Sequence, residues 1–247
     1  MKLIAVSDLH GHLPNLPECD ILCIAGDVTP DCYRMDAKKQ REWLDGVFAD
    51  WIFSLDCYAR ILVAGNHDYG LLSGCPSSLS KGVVYLENEG VEIMGFTFWG
   101  TPNVPKPTNN LAFYQEPEEL LKTYQKIPDK VDFLIAHAAP FGANNCGLLG
   151  NGMADIGSRE LAEAIKDKDI GYIFCGHIHT GNHNVGLWEG KRIVNVSYCN
   201  ESKEPAYQPF YIYHRNDYTM RQVLRNTKEM MQVDSFHGIG SEEQESV

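Results

Sequence analysis

Two pairs of residues in this sequence place metal-binding side chains two positions apart. Asp8 and His10 form the first pair, and His177 and His179 form the second. On an extended segment, side chains at positions i and i+2 point to the same face, so each pair could hold one cation. A single Asp-x-His or His-x-His pair is weak evidence, because such pairs often arise by chance.

Three more residues extend this set of nitrogen and oxygen donors: Asp27, Asn66 and His137. Chance rarely assembles such a set, so a purely structural role for all of its members is the disfavoured alternative. Imidazole, carboxylate and amide groups without thiolate suit Mn, Fe, Zn or Ni better than copper or an iron–sulfur cluster. The residue types therefore predict a site for divalent metal ions.

Each of the candidate ligands follows a short apolar run. Runs of this length, rich in Ile, Val, Leu or Phe, are too short for helices and fit strands that are buried on both faces of a sheet. Because open α/β sheets hold ligands at the carboxyl ends of their strands, we expect the candidate ligands to meet at one edge. The runs are Leu3–Val6, Ile21–Ala25, Ile61–Ala64, Phe133–Ala136 and Tyr172–Cys175.

Helical periodicity separates the second and third runs, which gives strand–helix–strand order. The mixture of elements predicts an α/β sandwich. The apolar face of this first helix consists of Trp43, Leu44, Val47, Phe48, Trp51, Ile52 and Leu55. Further predicted elements are helices at Glu116–Gln125 and Ser158–Asp167, a hairpin at Val83–Trp99 with its turn at Glu87–Gly90, and strands at Val194–Val196 and Phe210–Tyr213.

The composition fits one globular domain. The chain has 247 residues, of which 44% are hydrophobic and 22% charged, so it is long enough to bury a sizeable core. We expect the domain to span residues 1–225 and the polar, acidic residues 226–247 to form a flexible tail. The formal net charge of −12 disfavours stable nucleic-acid binding, which needs clustered Lys and Arg. Bound metal ions would supply the positive charge that a phosphate substrate needs.

The sequence favours a soluble, cytoplasmic protein that does not bind membranes. The first apolar run breaks after four residues at Ser7-Asp8, which is too early for a signal peptide, and no run reaches the length of a membrane span. The eight cysteines lack close Cys-x-x-Cys pairs, so we expect reduced thiols.

The polar segments that follow the five apolar runs form five sequence blocks between residues 8 and 179. These blocks resemble the calcineurin-like metallophosphoesterase superfamily. Gly65-Asn66-His67-Asp68 and Gly176-His177-Ile178-His179 are the most diagnostic blocks. The resemblance implies a β-sandwich of two mixed sheets flanked by helices, in four layers. It also implies two divalent metal ions, with Mn preferred and Fe, Zn or Ni as alternatives. The first ion would be held by Asp8, His10 and His179, the second by Asn66, His137 and His177, and Asp27 would bridge both.

The implied chemistry is hydrolysis of a phosphate ester. Two metal ions roughly 3.5–4 Å apart can clamp the attacking and leaving oxygens of an in-line displacement, with a bridging hydroxide as the nucleophile. His67 would not be a ligand, and we expect it to protonate the leaving oxygen or to stabilise phosphoryl charge. We expect Asp68 to hold the imidazole of His67 in place. The alternative for His67 is a capped loop histidine.

The substrate prediction rests on looser resemblances. Phosphoprotein phosphatases of the superfamily follow the Gly-Asp block with Asp-Arg-Gly, whereas this chain has Val28-Thr29-Pro30-Asp31 and lacks that phosphate-gripping arginine. Trp99–Pro102, His137–Pro140 and Asn195–Ser197 are similar to the small metallophosphoesterase-domain-containing branch, which implies a phosphodiester substrate such as a cyclic nucleotide. One subgroup of that branch has Gly in place of His177, so this histidine favours full two-metal activity.

Three alternative functions stay open. The same site would serve a broad-specificity phosphomonoesterase. It would also serve a metal-binding scaffold like the retromer subunit of the superfamily, which lacks the catalytic histidine that this chain retains as His67. A nuclease is the third alternative, and the acidic composition disfavours it. In the preferred interpretation the partner is a small phosphate ester, with a nucleotide as one candidate.

Other polar residues have weaker assignments. We expect His12 to be a solvated loop histidine, and we assign no role to His183, His214 or His237. The Pro-rich stretch Trp99–Phe113 is either a substrate loop or a surface connection, and it carries Asn103, Asn109 and Asn110.

Overall fold

The computed structural model describes residues 1–105, 111–143, 146–149 and 152–213. Several predictions fall outside these residues: the tail at 226–247, the domain boundary at residue 225, His214, His237, and the loop positions Asn109 and Asn110. Within the described part, no helix has both the length and the apolar character needed to cross a membrane.

Strands and helices are numbered in chain order. The helices are α1 (Ala37–Trp43), α2 (Ala49–Ser54), α3 (Pro117–Gln125) and α4 (Arg159–Ile165), and a π-helical turn (Leu44–Phe48) joins α1 to α2. The strands are β1 (Lys2–Val6), β2 (Cys19–Ala25), β3 (Cys57–Val63), β4 (Val84–Tyr85), β5 (Glu89–Ile93), β6 (Phe96–Thr101), β7 (Val104–Pro105), β8 (Tyr114–Gln115), β9 (Lys130–Ala136), β10 (Cys146–Leu149), β11 (Gly152–Asp155), β12 (Asp169–Cys175), β13 (Gly186–Trp188), β14 (Lys191–Asn195) and β15 (Phe210–Tyr213).

The larger strands form two mixed sheets. The first has the order β15-β1-β2-β3-β4, in which β1 to β4 are parallel and β15 is antiparallel to β1. The second has the order β13-β14-β12-β9-β6-β5, in which the four inner strands are parallel and both edge strands are antiparallel. The five apolar runs are the strands β1, β2, β3, β9 and β12, as predicted.

Side chains of the central strands alternate between two cores. In β1, Leu3 and Ala5 face the second sheet, whereas Ile4 and Val6 pack in a cluster with residues of α1 and α2. A third cluster packs β9 and β12 against α3 and α4. Because successive strand side chains point to opposite faces, continuous apolar runs are needed to fill both cores. The result is a sandwich of two mixed sheets flanked by helices, which confirms the predicted fold class.

The predicted helices are confirmed with small shifts of their bounds, but one residue of the first helical face was assigned wrongly. Val47 is 54% exposed. It lies in the π-helical turn, where the larger number of residues per turn rotates this position away from the core. The buried residues of this segment are Trp43, Leu44, Phe48, Ala49 and Ile52.

The predicted hairpin turn at Glu87–Gly90 is wrong. The turn lies at Met94-Gly95, between β5 and β6, where φ is 53° and 74°. Two-residue hairpin loops favour positive φ at both positions, and glycine adopts it at no steric cost. Asn88 also has a positive φ of 59°, but it lies where the chain crosses from the first sheet to the second.

Phe133 is the test of the core between the sheets. Its ring is fully buried and lies 4.9 Å from that of Phe98 and 5.8 Å from that of Phe174, measured between centroids. We expect Phe133→Ala to lower the free energy of unfolding by about 3–5 kcal/mol, because it leaves a cavity among packed rings. Urea unfolding measures this loss. Tyr58→Ala is the control, because Tyr58 is 77% exposed. Equal urea midpoints of unfolding for the two variants would contradict this description of the core.

Candidate metal centre

The carboxyl ends of five parallel strands, three in one sheet and two in the other, carry the candidate ligands. The backbone turns sharply at four of these ligands: φ is 52° at Asp8, 44° at His10, 53° at Asp27 and 66° at His177. Positive φ is uncommon for residues other than glycine, and such strain is retained where the surrounding structure fixes it. The expectation that Asp8 and His10 lie on an extended segment is therefore wrong, although their side chains do converge.

Asp8, His10 and His179 form the first cluster, with ligand atoms within 4.8 Å of one another. Nε2 of His179 lies 3.1 Å from Oδ1 of Asp8 and 3.4 Å from Nε2 of His10. Nδ1 of His179 lies 2.7 Å from the carbonyl oxygen of Asn200. Since a carbonyl only accepts, Nδ1 carries the proton and the lone pair of Nε2 faces the cluster.

Asn66, His137 and His177 form the second cluster. Oδ1 of Asn66 lies 2.9 Å from Nε2 of His137 and 2.6 Å from Nδ1 of His177. Nδ1 of His137 lies 2.8 Å from the carbonyl oxygen of Ala25, which again leaves Nε2 to face the other donors. The Asp27 carboxylate lies 3.3 Å from Nε2 of His137, and Asp8, Asp27 and His137 are within 4.8 Å of one another. Asp27 therefore stands between the two clusters.

Burial and charge set the protonation of this centre. Burial alone would raise the pKa of both Asp8 and Asp27, but the imidazoles of His179 and His137 outweigh it and lower both pKa values. Burial lowers the pKa of His10 to about 4 and that of His177 to about 3. For His137, the charge of Asp27 outweighs burial and raises the pKa to about 9.

This donor set fits divalent metal ions. Ionised carboxylates and neutral imidazoles are the forms that bind a metal, and ion binding displaces a proton where one is held, as at His137. The 3.4 Å between Nε2 of His10 and Nε2 of His179 suits two ligands that share one ion at roughly 2.0–2.1 Å each. Nδ1 of His10 is buried without a partner among the described residues. Two buried carboxylates also leave negative charge that a cation would neutralise.

Two glycines of the diagnostic blocks leave room for the carboxylates. A Cβ atom at Gly65 would overlap Oδ1 of Asp27, and one at Gly176 would overlap Oδ2 of Asp8. The close approach lets the backbone N–H of His67 donate to Asp27 at 2.7 Å. It likewise lets the backbone N–H of His177 donate to Asp8 at 3.1 Å. Glycine is thus required here for proximity to the ligands.

The structure puts Asp68 beneath the centre instead of beside the imidazole of His67. Oδ1 of Asp68 accepts hydrogen bonds from the backbone N–H groups of Val28 and Thr29, and Oδ2 accepts one from Gly65. The carboxylate near the imidazole is that of Asp31, whose Oδ1 lies 3.6 Å from Nδ1 of His67. The expected contact between Asp68 and the imidazole is therefore wrong, because both carboxylate oxygens of Asp68 accept hydrogen bonds from loop backbone.

His67 lies at the mouth of the centre, with a side chain that is 29% exposed. Its ring is 5.2 Å from that of His10, measured between centroids. His12 was expected to be solvated, but its Nε2 lies 3.0 Å from the carbonyl oxygen of Lys203. The structure thus gives His67 access to a bound ligand and ties His12 to a neighbouring turn.

Several residues at the centre carry no motif that sequence reasoning could use. The hydroxyl groups of Ser7 and Ser197 donate to Oδ2 of Asp8, at 2.5 Å and 2.8 Å. Asp31 and Lys203 approach it from loops whose sequences contain no metal-binding pattern. Ser7, Asp31 and Ser197 belonged to segments quoted in the sequence analysis, but none of them was assigned a role there.

Two packed mixed sheets, with nitrogen and oxygen donors gathered at the carboxyl ends of their parallel strands, define a candidate centre for divalent metal ions. The chain belongs to the calcineurin-like phosphoesterase family, whose family model matches residues 1–181. The protein is thus a phosphoesterase of a family that typically binds two divalent metal ions.

Three curated proteins are similar to most of this chain. Metallophosphoesterase domain-containing protein 1 of Homo sapiens is 27% identical over 239 residues, which cover 85% of this chain and 70% of that protein. A UPF0046 protein of Caenorhabditis elegans is 27% identical over 232 residues, or 86% of this chain and 75% of that protein. A protein named probable rhamnogalacturonate lyase C, of Emericella nidulans, is 30% identical over 83% of this chain, which spans only 19% of its length.

A solved crystal structure shares the fold. The TM-score is 0.55 at 15% sequence identity, over 78% of this chain and 89% of the other.

Asp27 is the residue whose replacement should affect both metal positions. We expect Asp27→Asn to lower the Mn content of the dialysed protein from about two ions per chain to about one or fewer, because the shared carboxylate charge is lost. Elemental analysis by mass spectrometry measures the content. Asp56→Asn, at an exposed carboxylate, should keep the wild-type content. A full Mn content in Asp27→Asn would rule out a bridging role.

Proposed function

We propose that this phosphoesterase hydrolyses a small phosphodiester, such as a cyclic nucleotide, with two divalent metal ions. Asp8, His10 and His179 would hold the first ion, and Asn66, His137 and His177 the second, with Asp27 shared between them. The observation that carries the proposal is the convergence of these seven side chains at the carboxyl ends of five strands. Bound there, the ions would polarise the phosphoryl group and lower the pKa of water at the site.

The donor set supports Mn as the metal, with Fe, Zn or Ni as alternatives. It consists of imidazole, carboxylate and amide groups, which suit these ions, and it contains no thiolate.

His67 would act on the leaving group. It stands at the mouth of the centre, and its backbone N–H is anchored on Asp27, so the imidazole is held beside the place where the phosphorus must lie. From there it would donate a proton to the departing oxygen, a role that suits a partly exposed histidine. Asp31 would be a positioning residue for this imidazole, and Asp68 would fix the loop beneath it.

Two features of the sequence favour a diester over a monoester. The chain lacks the Asp-Arg-Gly segment that follows Gly-Asp in the phosphoprotein phosphatases, and the carboxylate of Asp31 lies near the mouth of the site instead. This added negative charge would disfavour a dianionic monoester more than a monoanionic diester. The similarity to metallophosphoesterase domain-containing protein 1 supports placing this chain in the small metallophosphoesterase-domain-containing branch, whose resemblance implied a phosphodiester substrate.

Turnover of two substrates by the Mn-reconstituted protein tests the proposal. We expect faster cleavage of bis-p-nitrophenyl phosphate than of p-nitrophenyl phosphate. His67→Ala should lower kcat by roughly 10²–10⁴-fold, because leaving-group protonation and stabilisation of phosphoryl charge are both lost, while the Mn content stays unchanged. Tyr58→Ala is the surface control. Preference for the monoester would favour the phosphomonoesterase, and metal binding without turnover would favour the scaffold.

Asp31 provides a second test, directed at the position of the imidazole. We expect Asp31→Ala to lower kcat about tenfold, with the Mn content unchanged, because the imidazole loses its carboxylate neighbour. In a double-mutant cycle, adding Asp31→Ala to His67→Ala should cost nothing further, since the two residues act as a unit. Cys32→Ala, at the exposed next residue, is the matched control. An additive loss of kcat in the double variant would show that Asp31 acts independently of His67.

A further inference from the structure

Lys203 brings an ammonium group into the candidate metal centre. Its Nζ lies 3.1 Å from Nε2 of His10 and 3.5 Å from Nε2 of His179. We propose that Lys203 is a substrate-binding residue, whose ammonium group contacts a non-bridging phosphoryl oxygen on the side of His10 and His179. The inference rests on the proposed function and adds a residue that none of the sequence blocks contains.

A tight turn at residues 200–204 holds Lys203 at this place. Oδ1 of Asn200 accepts hydrogen bonds from the backbone N–H groups of Ser202 and Glu204, at 2.9 Å and 3.2 Å. The N–H of Lys203 donates to the carbonyl of Asn200 at 2.9 Å. Lys203 itself has a φ of 62°, which costs free energy for a residue with a side chain. The turn is therefore closed by its own hydrogen bonds in a strained conformation.

The same turn is bonded to the segments that carry candidate ligands. Nε2 of His12, two residues after His10, lies 3.0 Å from the carbonyl oxygen of Lys203. Nδ1 of His179 donates to the carbonyl of Asn200 at 2.7 Å. The backbone at Lys203 is thus fixed relative to the centre, and its adjustable part is the flexible four-carbon side chain.

An ammonium group and a metal ion would exclude each other between these imidazoles. A divalent cation held by His10 and His179 would need the space that Nζ borders, and the like charges would repel. Asp8, His10 and His179 are buried, whereas Lys203 is half-buried, so the displaced ammonium group would move toward solvent. There it would meet the incoming phosphate, and an anionic phosphoryl oxygen is a good acceptor for its N–H groups.

The position of Lys203 separates its role from that of His67. Lys203 approaches from the side of His10 and His179, and its charge would attract the phosphate before and during the reaction. A contact that is equally strong in the ground state and in the transition state lowers KM and leaves kcat unchanged. We therefore expect Lys203 to act on substrate affinity.

Binding of inorganic phosphate to the Mn-reconstituted full chain tests this role. We expect Lys203→Met, which keeps the length of the side chain and removes its charge, to weaken phosphate binding about tenfold or more in calorimetric titrations. KM for bis-p-nitrophenyl phosphate should rise by a similar factor with little change in kcat, and the Mn content should not fall. Lys203→Arg should keep most of the affinity, and Lys81→Met, at an exposed lysine, should keep all of it.

The outcomes separate this role from the proposed function. Mn content and turnover of the wild-type protein test the two-metal function, whereas the phosphate titration, repeated on metal-free protein, tests Lys203 by itself. Equal phosphate affinity of wild type and Lys203→Met in both states would overturn the inference. Unchanged KM with tighter Mn binding in Lys203→Met would also overturn it, because Lys203 would then only compete with the metal. Thermal unfolding checks that the variants are folded.

Discussion

Two carboxylates, Asp8 and Asp27, are buried where the two sheets meet. Burying these charges costs free energy, and the surrounding groups offset this cost. An isolated buried charge is strongly unfavourable, so each carboxylate is surrounded by donors. Asp8 accepts hydrogen bonds from two serine hydroxyls and from the backbone N–H of His177. Asp27 accepts one from the backbone N–H of His67 and lies beside His137. These contacts keep both groups ionised, as a metal centre needs.

The loops after the strands stabilise the two buried carboxylates through strained backbone conformations and close packing. Positive φ at Asp8, Asp27 and His177 turns the chain back at the strand ends, so that backbone N–H groups point at the carboxylates. Such conformations persist only where the surroundings fix them. Asp68 contributes to this by binding the loop after β2 to the loop after β3. The rigid sandwich beneath, filled from both sheets, keeps these strand ends in place.

Two side chains with proposed roles toward the substrate, His67 and Lys203, lie next to His10 beside this negative core. His67 and Asp31 stand at the mouth, while Lys203 lies against His10 and His179. The roles proposed for the two side chains differ, because a leaving oxygen would need a proton, whereas a non-bridging oxygen would need a positive charge. With metal ions bound beside Lys203, a protein with a net charge of −12 would be able to bind an anion, because the local field of the site would then differ in sign from that of the whole chain.

Local sequence patterns were enough to identify the candidate donors and the strands that precede them. An apolar run followed by a polar donor is a local pattern, and strand periodicity and burial depend mainly on neighbouring residues. The donors that follow such runs are Asp8, Asp27, Asn66, His137 and His177. The contacts between distant segments became apparent only in the folded chain. Asp31 reaches His67, Lys203 reaches His10, and Asp68 turns to the loops. These contacts depend on how loops pack and which strained conformations they can hold, and no local pattern of residue types encodes that.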